Sequence, residues 1–251
     1  MCMSLKYVFF AFALFISLPT RSQSITGTQG QFFIPTAEMH PDRTLVLGAG
    51  YIPKGYFQRY NRSVNPGMPT FVTVTFLPFV EVMFRYTHEL NMRVNPQTRY
   101  YPDRMFAGRI RLLKESKYIP TLTIGAQDFT SFLGLSCDSC VNYGGVYAVV
   151  TKTFSYNHFE YKPTIGYASD VMDLYRYDFL GIFGGVEIRH NQLANSSLSL
   201  EYDTRNIHLS IGHTFFDRLV IKAGLWDLKK PAAMIAYKYQ IWYSKSCFLL
   251  F

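Results

Sequence analysis

The chain has 251 residues and a formal net charge of +8, and 49% of its residues are hydrophobic and 17% aromatic. Its mean hydropathy of +0.03 is too low for a membrane protein built from helices, and its Lys and Arg residues are scattered, which argues against a nucleic-acid partner. Aromatic richness with neutral mean hydropathy is typical of alternating apolar and polar residues, a pattern that membrane β-barrels and soluble β-sandwiches share.

The first 22 residues have the pattern of a secretory signal peptide. Lys6 precedes an apolar run over 7–18, and Thr20 and Ser22 place small residues at the −3 and −1 positions of a cut before Gln23. The run is shorter than the ~20 residues that a membrane-spanning helix needs. We therefore predict cleavage near Ser22-Gln23, followed by an N-terminal periplasmic segment over 23–43.

From residue 44 onward, apolar and polar residues alternate with a period of two, which predicts β-strands. In Thr121–Asp128, for example, Leu122, Ile124 and Ala126 share one face. Most predicted strands have the length of about nine to eleven residues that a tilted strand needs to cross a bilayer. We predict about twelve strands, at 44–52, 70–77, 80–88, 104–114, 119–128, 144–154, 157–167, 181–189, 197–203, 206–216, 218–226 and 232–242.

The connections between the first eight strands alternate in length. Short connections lie at 78–79, 115–118 and 155–156, and long ones lie at 53–69, 89–103, 129–143 and 168–180. Membrane barrels have short turns on the periplasmic side and long loops outside, whereas a sandwich has no reason to alternate. The predicted fold is therefore an all-β, transmembrane antiparallel β-barrel over 44–243, in the bacterial outer membrane, with a C-terminal tail over 244–251.

Charged residues lie on the strand face opposite the apolar one, so in a closed barrel they should point into the lumen. Two interpretations are open: a polar surface that binds a hydrated, acidic polysaccharide, or a set of salt bridges that holds a narrow barrel together. The candidate lumen residues from this pattern are Arg85, Arg109, Arg111, Lys152, Glu187, Glu201 and Asp203.

His208-x-Ser210 is the feature that most resembles an enzyme. Residues i and i+2 of a strand share a face, so an imidazole would lie beside a hydroxyl, as in barrel enzymes that modify lipids. Such a pair must face lipid, but Ile207, Leu209 and Ile211 occupy that face here. We therefore predict a non-enzymatic protein and keep a lipid-modifying enzyme and a structural or adhesive barrel as alternatives.

The spacing of Cys137 and Cys140 predicts a small disulfide loop in an exported chain. No second CxxC pair and no His pair accompanies them, so we expect no metal site and no cofactor.

Several segments resemble the YjbH-like family of exopolysaccharide-associated outer-membrane proteins. Gly27–Gly30 with Phe33–Glu38 is similar to the family's "G..G...IPTA" opening, and a "DR…P…G..D" block spans 101–128. Ala148–Lys152 is similar to its "ASK" strand, and an "FGG.E…EYD" block spans 181–203.

The resemblance implies an outer-membrane barrel with a role in making or exporting extracellular polysaccharide. Its partners would be outer-membrane lipid, an acidic polysaccharide and periplasmic export proteins. The resemblance adds Asp128 to the candidate lumen residues and carries over Glu187, Glu201 and Asp203, with no catalytic role for any of them.

Overall fold

The computed structural model describes residues 22–55, 58–59, 62–63, 65–90, 103–129, 144–169, 171 and 179–241. Among these residues, no helix has the length and apolar character needed to cross a membrane. The strands are β1 (Thr44–Tyr51), β2 (Gln58–Arg59), β3 (Arg62–Ser63), β4 (Gly67–Leu77), β5 (Val80–Glu89), β6 (Asp103–Leu113), β7 (Thr121–Gln127), β8 (Gly145–Thr151), β9 (Phe154–Tyr156), β10 (Phe159–Ser169), β11 (Gly181–His190), β12 (Ser196–Tyr202), β13 (Ile207–Phe215), β14 (Leu219–Trp226) and β15 (Lys230–Gln240).

Twelve of these strands form one closed antiparallel barrel. Each long strand pairs with the next along the chain, and β15 returns to pair with β1 from Thr44↔Gln240 to Tyr51↔Ala233. The short strand β9 pairs with the start of β10, and β2 and β3 form a separate hairpin. The predicted all-β barrel of about twelve strands is confirmed. Closure ends at Gln240, and the predicted tail over 244–251 lies outside the described residues.

The alternation in the sequence becomes an apolar outer wall and a buried inner wall. Outward side chains are exposed although they are apolar: Ile165, Ile182 and Ile211 are 62%, 63% and 63% exposed. Their inward neighbours are polar or small and are buried, as at Thr164 and Ser210. An exposed wall this rich in apolar side chains is unusual for a soluble protein.

A segment of the chain fills the barrel. Residues 22–40, here called the luminal segment, are buried almost throughout, and Ile25, Phe32 and Phe33 belong to the same core cluster as the wall residues Phe71 and Met83. The sequence predicts 23–43 as an N-terminal periplasmic segment that precedes the barrel. The structure places residues 22–40 inside it because a twelve-stranded barrel encloses more space than its own side chains fill.

Two strand glycines make room for this segment. A Cβ on Gly50 would lie 2.7 Å from Ile25 Cγ1, and a Cβ on Gly224 would lie 2.8 Å from Phe32 Cε1. Both distances are too short for real Cβ contacts, so the absence of a side chain lets the luminal segment approach the wall. Glycine at such positions is expected where a backbone or side chain must come close.

The two rims of the barrel differ. The short-turn rim holds the connections 78–79, 114–120 and 191–195, together with the start of β1 and the end of β15. The opposite, long-loop rim holds connections that are mostly outside the described residues. Cys137 and Cys140 lie outside the described residues, so their disulfide stays a prediction.

Candidate functional site

Glu201 anchors the luminal segment from inside β12. Its carboxylate accepts hydrogen bonds from three successive backbone N–H groups: Phe33 at 2.8 Å, Phe32 at 3.1 Å and Ile34 at 3.3 Å. Successive N–H groups that converge in this way form an anion-binding concavity, usually called a nest. In this barrel, the anion that fills the nest is a side chain of the wall.

Arg109 binds the other side of the segment through carbonyl oxygens. Its Nη1 donates to Gln29 O at 2.9 Å and to Thr36 O at 2.7 Å, and its Nη2 donates to Glu38 O at 2.7 Å. The remaining donors pair with Glu81, with Nε 2.8 Å from Oε1 and Nη2 3.2 Å from Oε2. All five guanidinium N–H donors are therefore used.

Glu81 completes this arrangement, since its Oε1 also accepts a hydrogen bond from the Gln29 N–H at 3.1 Å. The backbone N–H and C=O groups of Gln29 are thus bound by Glu81 and Arg109, respectively. These two residues form a buried ion pair, and each of their side chains is 1% exposed. A buried pair is stable only when its remaining donors and acceptors are satisfied, and here the backbone of the luminal segment supplies those partners.

Two lysines bind the segment nearer the short-turn rim. Lys222 donates to Gln31 O at 3.0 Å and to the Ser22 hydroxyl. Lys162 lies 3.1 Å from Glu38 Oε1 and 3.4 Å from Glu160 Oε1. Arg189 holds Glu187 through Nη2 at 2.7 Å and Nε at 2.9 Å. Charges of both signs therefore meet inside the barrel.

Six of the eight candidate lumen residues are buried, and the other two are half-exposed. Four of them, Arg85, Arg109, Glu187 and Glu201, are buried and face the lumen from strands. Asp128 and Asp203 are buried one residue beyond the ends of β7 and β12.

Arg111 has the same parity as these residues, whereas Lys152 follows the inward-facing Thr151 and has the outward parity. Both lie half-exposed at the short-turn rim. Arg111 Nη2 donates to Pro78 O in the β4–β5 turn. Lys152 Nζ donates to Lys117 O at 3.2 Å and lies 3.3 Å from Glu115. The expectation that these two point into the lumen is corrected. Arg111 is on the predicted face but too near the rim, because strand parity does not give height along the barrel, and Lys152 shares the outward parity of Ala148 and Val150.

His208 and Ser210 face the lumen, as their parity predicts, and are 0% and 3% exposed. His208 Nδ1 accepts a hydrogen bond from the Asp227 N–H at 3.1 Å, and its Nε2 lies 2.9 Å from Asp203 Oδ2. The ring packs against Phe33 with centroids 4.4 Å apart. Both ring nitrogens are thus occupied by groups other than the Ser210 hydroxyl, which a general base would have to contact.

The contacts of the site immobilise a chain segment inside the barrel. Within the described ranges, no group of three or more His, Cys, Asp or Glu side chains is placed to hold a metal ion. Charged wall residues were predictable from strand alternation, but the luminal segment that they bind was not. The available signal was the pair Gly27 and Gly30, which make the tight turns that fold the segment back on itself: φ is +106° at Gly27, and a Cβ on Gly30 would collide with Ile34 O.

A comparison with models of protein families gives a match over most of the chain. The model of the YjbH family, described as exopolysaccharide biosynthesis protein YbjH, matches residues 22–210, which are 189 of the 251 residues. The matched span includes the whole luminal segment and the strands β1 to β12. No curated protein matches the chain significantly.

Proposed function

We propose that this chain, which belongs to the YjbH family of exopolysaccharide biosynthesis proteins, is a non-enzymatic outer-membrane barrel. Its role is to assist the biosynthesis or secretion of an exopolysaccharide. The observation that carries the proposal is a closed twelve-stranded barrel, in a member of this family, whose outer wall is apolar. A closed barrel satisfies every backbone hydrogen bond in the spanning region, which is what allows strands to cross a bilayer.

The outer wall supports the membrane placement in detail. Each strand of the barrel presents mostly Leu, Ile, Val, Phe or Tyr outward, and aromatic side chains occur near strand ends, as at Tyr51, Tyr202 and Phe215. Aromatic residues at the two ends of an apolar band are typical of membrane barrels. Export through the predicted signal peptide, cut near Ser22-Gln23, would deliver the chain to the periplasm, from which such barrels insert.

The filled lumen supports an assisting role over a conducting one. Arg109, Lys222 and Glu201 already bind the luminal segment. An acidic polysaccharide could bind them only if residues 22–40 moved out of the way. We therefore place contacts with the polymer, and with periplasmic export proteins, at the rims of the barrel.

The environment of His208 supports a non-enzymatic role. A lipid-modifying enzyme would need His208 to activate Ser210 on the outer wall, whereas both residues are buried in the lumen. The two ring nitrogens of His208 contact Asp203 and the Asp227 N–H instead.

Deletion of the gene in a strain that makes a surface polysaccharide tests the role. We expect less polymer at the cell surface, restored by the wild-type gene and equally by the variant H208Q, provided that both proteins are recovered in the outer-membrane fraction. Unchanged surface polymer after deletion would contradict the polysaccharide role. A folded H208Q protein that fails to restore the polymer would contradict the non-enzymatic role.

A further inference from the structure

A groove of about 560 Å³ lies on the outer wall near the short-turn rim. That volume is in the range of ~300–1,000 Å³ that is common for small-molecule sites. Large apolar side chains form its sides, and small residues on β12 to β14 form its floor. It is lined by Phe159, Ile188, Leu193, Leu198, Ile211, Phe215, Ile221, Ala223, Gly212, Ser196, Ser197, His190 and His213.

Polar side chains are rare on this part of the wall, and they gather at the groove. Across β11 to β14, the described outward side chains are apolar or aromatic except His190, Ser196 and His213. Ser196 and His213 are direct cross-strand partners, and the Ser196 Oγ and His213 Nδ1 atoms form a hydrogen bond of 2.8 Å. With Nδ1 engaged by Ser196, Nε2 is the ring atom that can donate to an external acceptor.

His190 lies at the same end of the groove. Its Nδ1 accepts a hydrogen bond from the Gln192 N–H at 3.2 Å in the β11–β12 turn, and its ring packs against Phe159 with centroids 4.9 Å apart. The groove is therefore apolar along its length and carries two imidazoles and a hydroxyl at its end toward the short-turn rim. This pattern matches an acyl chain joined to a polar head.

We propose that this groove binds one acyl chain of a phospholipid, with the ester or phosphate oxygens of the lipid at His213, Ser196 and His190. The inference rests on the proposed outer-membrane placement, since only in a bilayer is this wall surrounded by lipid. There, water is excluded from the hydrocarbon region, so hydrocarbon must occupy an apolar depression of the wall. The short-turn rim corresponds to the periplasmic side, where the adjacent leaflet supplies a phospholipid.

The test is native mass spectrometry of the purified full chain in detergent, titrated with phosphatidylglycerol. The variant A223F fills the floor of the groove, and the control A148F adds the same ring to the outer wall at β8, away from the groove. We expect one retained phospholipid on the wild type and on A148F, and at least a fivefold lower occupancy on A223F. H213F replaces the imidazole by a phenyl ring, which stays aromatic but has no hydrogen-bonding nitrogens. It should therefore lower the phospholipid occupancy as well.

The heat-dependent gel mobility of a folded barrel identifies any variant that does not fold, and A223L is the smaller replacement if A223F fails. Equal occupancy on the wild type and on a folded groove variant would overturn the proposal. Selective retention of a glycolipid in place of the phospholipid would overturn it too. This measurement uses purified protein, whereas the proposed function is tested in cells, by membrane fractionation and by the amount of surface polymer. Failure of the lipid proposal can therefore be distinguished from failure of the proposed function.

Discussion

At the scale of single residues, the luminal segment is held by wall side chains that replace water for its backbone. A buried N–H or C=O group without a partner costs about 1–3 kcal/mol. Glu201 satisfies three successive N–H groups and Arg109 satisfies three carbonyl groups. These two residues therefore decide whether the segment can remain inside the barrel.

Replacement of Glu201 should lower the free energy of unfolding in proportion to the acceptors removed. We expect a loss of about 3–5 kcal/mol for E201A, since three buried N–H groups lose a charged partner. E201Q keeps one acceptor oxygen and should lose about 1–3 kcal/mol. Urea unfolding of the purified barrel, followed by gel mobility without heating, measures both values.

The matched control is E160A, because Glu160 pairs with Lys162 at 3.4 Å but its side chain is 33% exposed. Glu160 is the more exposed of the two carboxylates that contact Lys162, and Glu38 at 3.1 Å keeps that lysine paired, so E160A should unfold within about 1 kcal/mol of the wild type. If E201A behaves like E160A, the nest contributes nothing to stability and Glu201 does not hold the luminal segment in place.

Arg109 provides a second test, on geometry at constant charge. R109K keeps the positive charge but offers three donors in place of the five that contact Glu81 and the three carbonyl oxygens. We expect a loss of about 2–4 kcal/mol in the free energy of unfolding. R43K, at a half-exposed position beside Asp42, should change it by less than about 0.5 kcal/mol. Equal stability of the two variants would show that charge alone matters at Arg109.

At the scale of elements, the strands were predictable and the luminal segment was not. Alternation gives strands because each wall residue faces either lumen or outside, and this pattern holds from Thr44 to Gln240. The luminal segment has no such period, and Gln23, Ser24, Thr26, Thr28 and Gln29 make it look like a solvated linker. Its burial comes from wall residues that are distant in the sequence, from Gly50 beside Ile25 to Glu201 beside Phe33, which no local pattern contains.

The same limit explains the two candidate residues that lie at the rim. Arg111 has the parity of a lumen residue, as inferred, whereas Lys152 follows the buried Thr151 and has the outward parity. Their height along the barrel depends on where the β4–β5 and β6–β7 turns begin, and their side chains reach the carbonyl oxygens of those turns. Strand boundaries are uncertain by a few residues from sequence, and that uncertainty is enough to move a charge from lumen to rim.

The fit between strand and luminal segment can be tested at Gly50. A Cβ there would lie 2.7 Å from Ile25 Cγ1, so G50A should destabilise the barrel by about 1–3 kcal/mol through overpacking. I25A should cost about 2–5 kcal/mol by leaving a cavity. The double variant should lose less free energy of unfolding than the sum of the two single variants, because each change offsets the other.

G108A is the control, since a Cβ on Gly108 would lie an ordinary 3.6 Å from Phe129. Strict additivity of G50A and I25A would show that the two positions do not interact.

At the scale of the whole molecule, the barrel has one core with the luminal segment at its centre. Barrels of eight strands are filled by their own side chains, whereas those of sixteen or more leave an aqueous channel. Twelve strands lie between these cases, so the lumen is either hydrated or filled by added chain. Here Ile25, Phe32, Phe33 and Ile34 fill it together with wall residues such as Phe71 and Phe183.

The segment should therefore be what prevents this barrel from conducting. We expect liposomes with the wild-type chain to show no swelling in solutions of small uncharged sugars. Liposomes with a chain in which residues 23–40 are deleted, or replaced by a Gly–Ser stretch of equal length, should swell. In both variants Arg109 and Glu81 would still pair with each other, and Glu201 and Lys222 would be hydrated in the opened lumen. The barrel can therefore remain folded, although its free energy of unfolding is lower than that of the wild type. Gel mobility without heating confirms that each variant is a folded barrel. If both folded variants remain impermeable, another part of the chain closes the lumen. If the wild type already swells, the luminal segment leaves the barrel in a bilayer, and a polysaccharide path through the lumen becomes the better account of the protein.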